Sequence, residues 1–266
     1  MSNEFRKADD KVLGIMPVIG LGTWEMLGPA CTESVINALE LGYRHIDTAQ
    51  IYGNEKEVGK GIQRSGIDRE DIFLTTKIAT TNLTSSRIRR TAAESMEKLG
   101  AGYVDLLLIH WPTESMNLEE CLDTMFLLKD QGLVTHVGVS NFDPGLFRKS
   151  IELGPVLTNQ VKFTPYHEEF ENLKVAQEND KIITAYSPLA RGGIAGDRTL
   201  SRIGEKYGKT ASQVTLRWLI QLGNISVIPK AYSNAHQKEN ISIFDFSLTD
   251  EDMEMMKQLG RKVVWH

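Results

Sequence analysis

The stretch SRIRRTAAESMEKLGAGYVDLLLIHWPTESMNLEECLDTMFLLKDQG, residues 86–132, decides how the chain folds. At its centre VDLLLIH (104–110) is a short apolar run rich in leucine, valine and isoleucine. On either side SRIRRTAAESMEKLG (86–100) and LEECLDTMFLLKDQG (118–132) are amphipathic stretches that read as helices. The same alternation recurs along the chain. VIGLGTW (18–24), YRHIDTA (43–49), IFLTTK (72–77), HVGVSN (136–141), VLTNQVKF (156–163), IITAYSP (182–188) and ISVIPK (225–230) bring the runs to eight. Strands alternating with helices predict a parallel sheet covered by helices. Eight repeats are the number that closes a (β/α)₈ TIM barrel, with an open doubly wound sheet as the rival.

Several boundaries can be placed. In CTESVINALELG (31–42), Val35, Ala38 and Leu39 share a helical face and Gly42 sits where a terminating glycine belongs. Thr84, Ser85 and Ser86 are N-cap candidates, and Thr249 before an acidic first turn predicts a C-terminal helix. Residues 5–17 suit a short N-terminal β-hairpin plugging one end of a barrel. Two extra C-terminal helices are expected between Thr199 and Gly223, separated near Gly208. With no linker, repeat or composition break, residues 1–266 read as a single domain.

At 41% hydrophobic and 24% charged residues, the chain can build a substantial core. The net charge of -5, with acids and bases interspersed, offers no nucleic-acid or anionic-membrane surface. Two cysteines, Cys31 and Cys121, suit a reducing compartment rather than a disulfide framework. The polar start MSNEFRKADD is not a signal peptide, and no run approaches a membrane span, so a cytoplasmic protein is expected.

Polar residues interrupt the runs at one recurring place. Asp47, Lys77, His110, Ser140 with Asn141, Gln160, Tyr186 with Ser187, and Lys230 fall in or at the C-terminal ends of seven successive runs. Any single one reads equally well as a strand end meeting solvent. The set does not, because in a barrel those ends converge on the face where active sites are built. An aspartate and a lysine on neighbouring strands can pair, lowering the cost of burying either charge. A lysine beside the Tyr52 hydroxyl would lower its pKa from about 10 toward neutrality. Such a tyrosine can donate a proton to a developing alkoxide, and His110 can hydrogen-bond the same oxygen. No protein nucleophile is needed when a nicotinamide supplies hydride.

Other motifs fail on spacing. GLGTW (20–24) would need glycine at Glu25 to be a dinucleotide fingerprint. GNEKEVGK (53–60) has one residue too many for a P-loop. The six histidines form no metal-ligand spacing, so no metal is expected, and no serine-hydrolase elbow occurs.

The segments MPVIGLGTW, GYRHIDTAQIYGNEKEVG, TTKI, DLLLIHWP, VGVSNF, NQVKFTPY, TAYSPLARG, VIPK and KEN resemble the aldo-keto reductase family in order and spacing across essentially the whole chain. Within it the chain is most similar to short bacterial 2,5-diketo-D-gluconate reductase-type members. The resemblance implies a (β/α)₈ barrel that reduces aldehydes and ketones (dicarbonyls, keto-sugars, aromatic aldehydes) with NADP(H), binding it extended. Matching residues imply Tyr52 as proton donor, Lys77 as its tuner, Asp47 as the partner of Lys77, and His110 orienting the carbonyl. Ser140, Asn141 and Gln160 match positions that bond the nicotinamide carboxamide, and Tyr186 would stack on its ring. Ser187, Pro188, Leu189 and Gly193 match the stretch enclosing the pyrophosphate. Gly22, Thr23 and Trp24 complete the cofactor wall. Pro229, Lys230, Ala231 and His236 would meet the 2′-phosphate, with Glu239 and Asn240 near the adenine. Trp24, Tyr52, Ala79, His110 and Trp111 would line the substrate pocket.

Two departures from the family pattern carry expectations. Ala231 and His236 stand where serine and arginine are usual, and imidazole lacks the flat bidentate grip of guanidinium. A weakened NADPH preference with some NAD(H) use follows. Ala79 replaces a common tryptophan, predicting a wider pocket, and a chain ending soon after RKVVWH predicts no long C-terminal specificity loop. A monomer with a small-molecule carbonyl substrate is expected. The alternatives are a cofactor-sensing protein resembling channel subunits, with little turnover, and a cofactor-free barrel lyase or hydrolase.

Overall fold

A computed structural model describes residues 7–260. The ends, including positions 5–6 of the expected hairpin and the RKVVWH segment, lie outside the described residues. Among the described residues are ten strands: β1 (Lys11–Val12), β2 (Met16–Pro17), β3 (Leu21–Gly22), β4 (His45–Asp47), β5 (Phe73–Ile78), β6 (Val104–Ile109), β7 (Val134–Ser140), β8 (Val156–Lys162), β9 (Ile182–Tyr186) and β10 (Ile225–Ile228). The helices are α1 (Gly28–Glu40), α2 (Glu55–Ser65), α3 (Ser85–Leu99), α4 (Leu118–Asp130), α5 (Pro144–Leu153), α6 (Phe170–Glu178), α7 (Arg198–Glu205), α8 (Ala211–Gln221), α9 (Asn234–Ile241) and α10 (Asp250–Lys257).

Strands β3 to β10 lie side by side in chain order, all parallel. The sheet closes where the chain from Val18 to Gly22 meets β10. Val227 N–H donates to Val18 O at 3.0 Å, and Gly20 N–H to Val227 O at 2.8 Å. That rules out the open sheet and makes a TIM barrel. The closure also explains GLGTW: a Cβ on Gly22 would stand 2.7 Å from Ile228 O, and one on Gly20 would meet the His45 ring. These glycines allow backbones to approach; they are not a phosphate cradle.

The hairpin β1–β2 is antiparallel, and its turn residues Leu13 and Gly14 both have positive φ. It seals the N-terminal end of the barrel. Met16 is buried beneath Thr184, whose hydroxyl lies 3.5 Å from its sulfur, and Ser226 Oγ donates to Pro17 O. The opposite end stays open to carry a site. Thr249 caps α10 as expected, accepting from Asp252 N–H. Thr84 is the N-cap of α3 by backbone geometry alone, without a side-chain bond. Outside the barrel, Trp218 on α8 packs edge-on against Phe163 and Phe170, fully buried. Each such ring contributes roughly 2–3 kcal/mol of apolar burial. Among the described residues, no helix is long and apolar enough to cross a membrane.

Candidate functional site

At the open end of the barrel, β4 ends in Asp47 and the chain turns into a short 3₁₀ helix, Gln50–Tyr52, closed by Gly53 at φ +67°. Lys77 lies near the end of β5 and is fully buried. Its Nζ donates to Asp47 Oδ1 at 2.5 Å, to Thr48 O at 2.9 Å and to the Tyr52 hydroxyl at 3.4 Å. The other Asp47 oxygen accepts from Gln160 Nε2 at 2.7 Å. His110, one residue past β6, sets its ring edge-to-face on Tyr52 with centroids 5.7 Å apart. Its Nδ1 is buried without a hydrogen-bond partner, leaving Nε2 to serve a ligand.

Two side-chain amides hold the loop that aims Tyr52. Gln50 accepts from Ala79 N–H and Asn82 Nδ2 and donates to Thr91 O and Ser95 Oγ. Asn54 accepts from Thr48 Oγ1 and donates to Thr23 O and Met26 O. Both bridge segments far apart in sequence, which is why reading the motifs alone misses them.

Burial dominates the electrostatics. It pushes the Tyr52 hydroxyl above its ordinary range, and the opposing pull of Lys77 does not overcome it. The expectation of a tyrosine lowered toward neutrality is therefore corrected: the hydroxyl keeps its proton at neutral pH, as a donor must. Burial lifts Asp47 against the pull of Lys77, whereas Lys77 is held up by Asp47 and Tyr52 despite its own burial. His110 is pushed down to about 3, first by burial and then by Lys77, as is His45 deeper in the barrel. His110 is thus a neutral hydrogen-bond donor rather than an imidazolium acid.

These two histidines predict an acid sensitivity. In the unfolded chain they protonate near the ordinary value of about 6.5, but in the fold near 3. Their stabilisation is complete above about pH 6.5 and is lost as pH falls toward 3, with a slope of up to about 1.4 kcal/mol per pH unit and group. Denaturant unfolding at a series of pH values should show this decline. The His110→Gln variant should show a shallower one, and an unchanged slope would refute the contribution.

A cleft of about 750 Å³ runs from this cluster across the barrel mouth. It is lined by Gly22, Trp24, Asp47, Tyr52, His110, Trp111, Ser140, Asn141, Gln160, Tyr186, Ser187, Pro188, Leu189, Pro229, Lys230, His236, Glu239 and Asn240. Thr23, Ala231, Gly193 and Ala79 do not line it. Thr23 is buried, its hydroxyl donating to Asp47 O, and Ala231 is buried. Ala79 is buried, its N–H donating to Gln50 Oε1 at 2.9 Å. The apolar wall near Tyr52 is instead Ile51, 60% exposed, facing the cleft with Trp111. Glu25, Ile51, Arg191 and Ser212 also line the cleft and were not singled out by sequence. Arg191 stacks on Trp24 at 4.4 Å, although SPLARG was in view as a motif.

Asn141 is braced within the protein by three hydrogen bonds. Its Nδ2 donates to His110 O and Ser140 Oγ, and its Oδ1 accepts from the Tyr186 hydroxyl. Glu25, Asn141, Ser187, Ala190 and Arg191 are non-glycine residues with positive φ, all at this cleft or in its enclosing loop. Each such residue costs about 1–3 kcal/mol, so strain is concentrated at the site.

A barrel with a buried Lys–Asp pair, a protonated tyrosine and a neutral histidine at its C-terminal face has the makings of an acid–base enzyme. Residues 18–261 match the aldo/keto reductase family model. The aldo-keto reductase of Mycolicibacterium smegmatis is 38% identical, covering 92% of this chain and 90% of its own. Methylglyoxal reductase DkgB of Yersinia pestis is 37% identical, covering 92% and 94%. A solved structure carrying the name 2,5-diketo-D-gluconic acid reductase B superposes with a TM-score of 0.92 at 40% identity, covering 98% of this chain and 95% of that one. The chain belongs to the aldo/keto reductase family of oxidoreductases.

Proposed function

We propose that this chain reduces aldehydes and ketones with NADP(H), Tyr52 donating the proton. The observation that carries the reading is the Tyr52 hydroxyl, kept protonated, 3.4 Å from an ammonium that is itself locked on Asp47. As carbonyl oxygen gains negative charge, Tyr52 delivers its proton there, and the nearby Lys77 charge stabilises the phenolate left behind. His110 Nε2 offers a second hydrogen bond that orients the carbonyl, the geometric part of the rate gain. A proton from solvent then restores the tyrosine, and in the oxidation direction the phenolate takes the alcohol proton instead.

The residues present fit a nicotinamide dinucleotide. The cleft joins the polar cluster of Asn141, Gln160 and Tyr186 to the cationic Lys230 and to Glu239 and Asn240. When bound, the nicotinamide supplies the hydride. Both Asn141 amide hydrogens are used internally, so a carboxamide N–H would bond it at the second lone pair of Oδ1. Ile51 and Trp111 favour small carbonyls and aromatic aldehydes, and methylglyoxal, the substrate named for the Yersinia relative, is an expected substrate.

Fluorescence titration with NADPH, followed by turnover of methylglyoxal and an aromatic aldehyde, tests the reading. Binding without turnover would favour a sensing role; no binding would remove the proposal. With His236 rather than arginine, kcat/KM for NADPH over NADH is expected to stay below about a thousandfold, roughly 4 kcal/mol.

A further inference from the structure

Glu25 is a carboxylate at the cationic end of the cleft, and its position has a specific cause. The turn from Thr23 to Met26 is held by Met26 N–H on Thr23 O and by Asn54 Nδ2 on both Thr23 O and Met26 O. Within it Glu25 adopts φ +59°, and its carbonyl accepts from the Tyr232 hydroxyl. The side chain is thereby directed at Lys230, with Oε2 3.3 Å from Nζ. Lys230 has other support: its ammonium stands 5.6 Å from the Trp24 ring centre and 5.5 Å from that of Tyr232.

We propose that Glu25 sets the choice between NADPH and NADH by competing with the 2′-phosphate for Lys230. The proposal rests on the NADP(H) reading above. A phosphate monoester that reaches Lys230 must displace the carboxylate and then remain beside its negative charge. A ribose hydroxyl at the same place meets no like charge. Glu25 therefore penalises the phosphorylated cofactor selectively. Removing its charge leaves Lys230 in place, because the Trp24 and Tyr232 rings still hold the ammonium. The pair is partly exposed, with Glu25 at 58%, so the effect is moderate and sensitive to salt.

Titration of the whole protein with NADPH and with NADH, for wild type and Glu25→Gln, reads this directly as dissociation constants. The variant is expected to bind NADPH about tenfold more tightly at low ionic strength and NADH less than about twofold differently. The gain should shrink as salt rises. Adenosine 2′-phosphate against adenosine, in competition with NADPH, should show the same preference, isolating the phosphate. Glu25→Ala should reproduce the order, which separates charge from any bond made by the new amide. Unchanged NADPH affinity, or equal tightening for both cofactors, overturns the role of Glu25 while leaving the NADP(H) reading intact. Failure of both proteins to bind either cofactor removes that reading and this proposal together.

Discussion

Replacing Tyr52 with phenylalanine is expected to lower carbonyl turnover by about 10³-fold or more while NADPH affinity stays within about a factor of two. The substitution removes one oxygen and its proton. Lys77 keeps its bonds to Asp47 and Thr48 O, so the ion pair does not rearrange. The ring that packs edge-on to His110 is retained, so the wall of the cleft survives. Only the proton is lost, and the developing alkoxide then has the neutral His110 as its remaining donor in the cluster. Because His110 lies near 3 when protonated, it cannot take over as acid at assay pH. The loss should therefore appear in kcat as well as kcat/KM, and it should not be recovered by lowering the pH from 8 to 6. Near-normal turnover in this variant would end the assignment of Tyr52 as donor.

The barrel was legible because its signal is repetitive. Eight apolar runs, each followed by a helical pattern, survive errors at any one boundary, and polar residues at seven strand ends mark one face. Asp47 and Lys77 could be paired from sequence because they lie at the ends of neighbouring parallel strands, with Asp47 opposite Thr75 and Lys77 two residues further along β5. What could not be read was anything set by a single tertiary contact. β3 has only two residues because closure is shared between Val18–Gly22 and the facing β10, a pairing between chain ends. Gln50 and Asn54 brace the tyrosine loop through amides that leave no periodic trace. Ala79 lies outside the cleft lining while its neighbour in space Gln50 accepts from its N–H, and Ile51 lines the cleft instead. The sign of the Tyr52 shift depended on how deeply the hydroxyl is buried, and sequence position carries no measure of that. Glu25 was noticed only as the residue that spoils a glycine motif; its contact with Lys230 joins positions 205 residues apart.

Lys77→Met should be the most damaging single change to stability, by about 3–5 kcal/mol, because it strands a buried carboxylate. Lys77 and Asp47 have side-chain exposures of 0% and 2%, so water cannot replace the lost partner. Asp47 would keep one donor, Gln160 Nε2, and Thr48 O would lose the lysine altogether. For a chain of this size the deficit corresponds to a fall in Tm of about 10 °C. The Asp47→Asn/Lys77→Met double variant removes both charges and is expected to regain at least half of the loss, roughly 2 kcal/mol, although neither variant should reduce carbonyls at an appreciable rate. Thermal and denaturant unfolding of the two variants beside wild type decide the matter. If the double variant is no more stable than Lys77→Met, the damage comes from lost packing rather than from an unpaired charge. If it is, the loss in Lys77→Met comes from the unpaired carboxylate, and only a double variant more stable than wild type would make the ion pair a net cost to the fold. Stability raised above wild type without activity would locate the reason for burying two charges in catalysis rather than in folding.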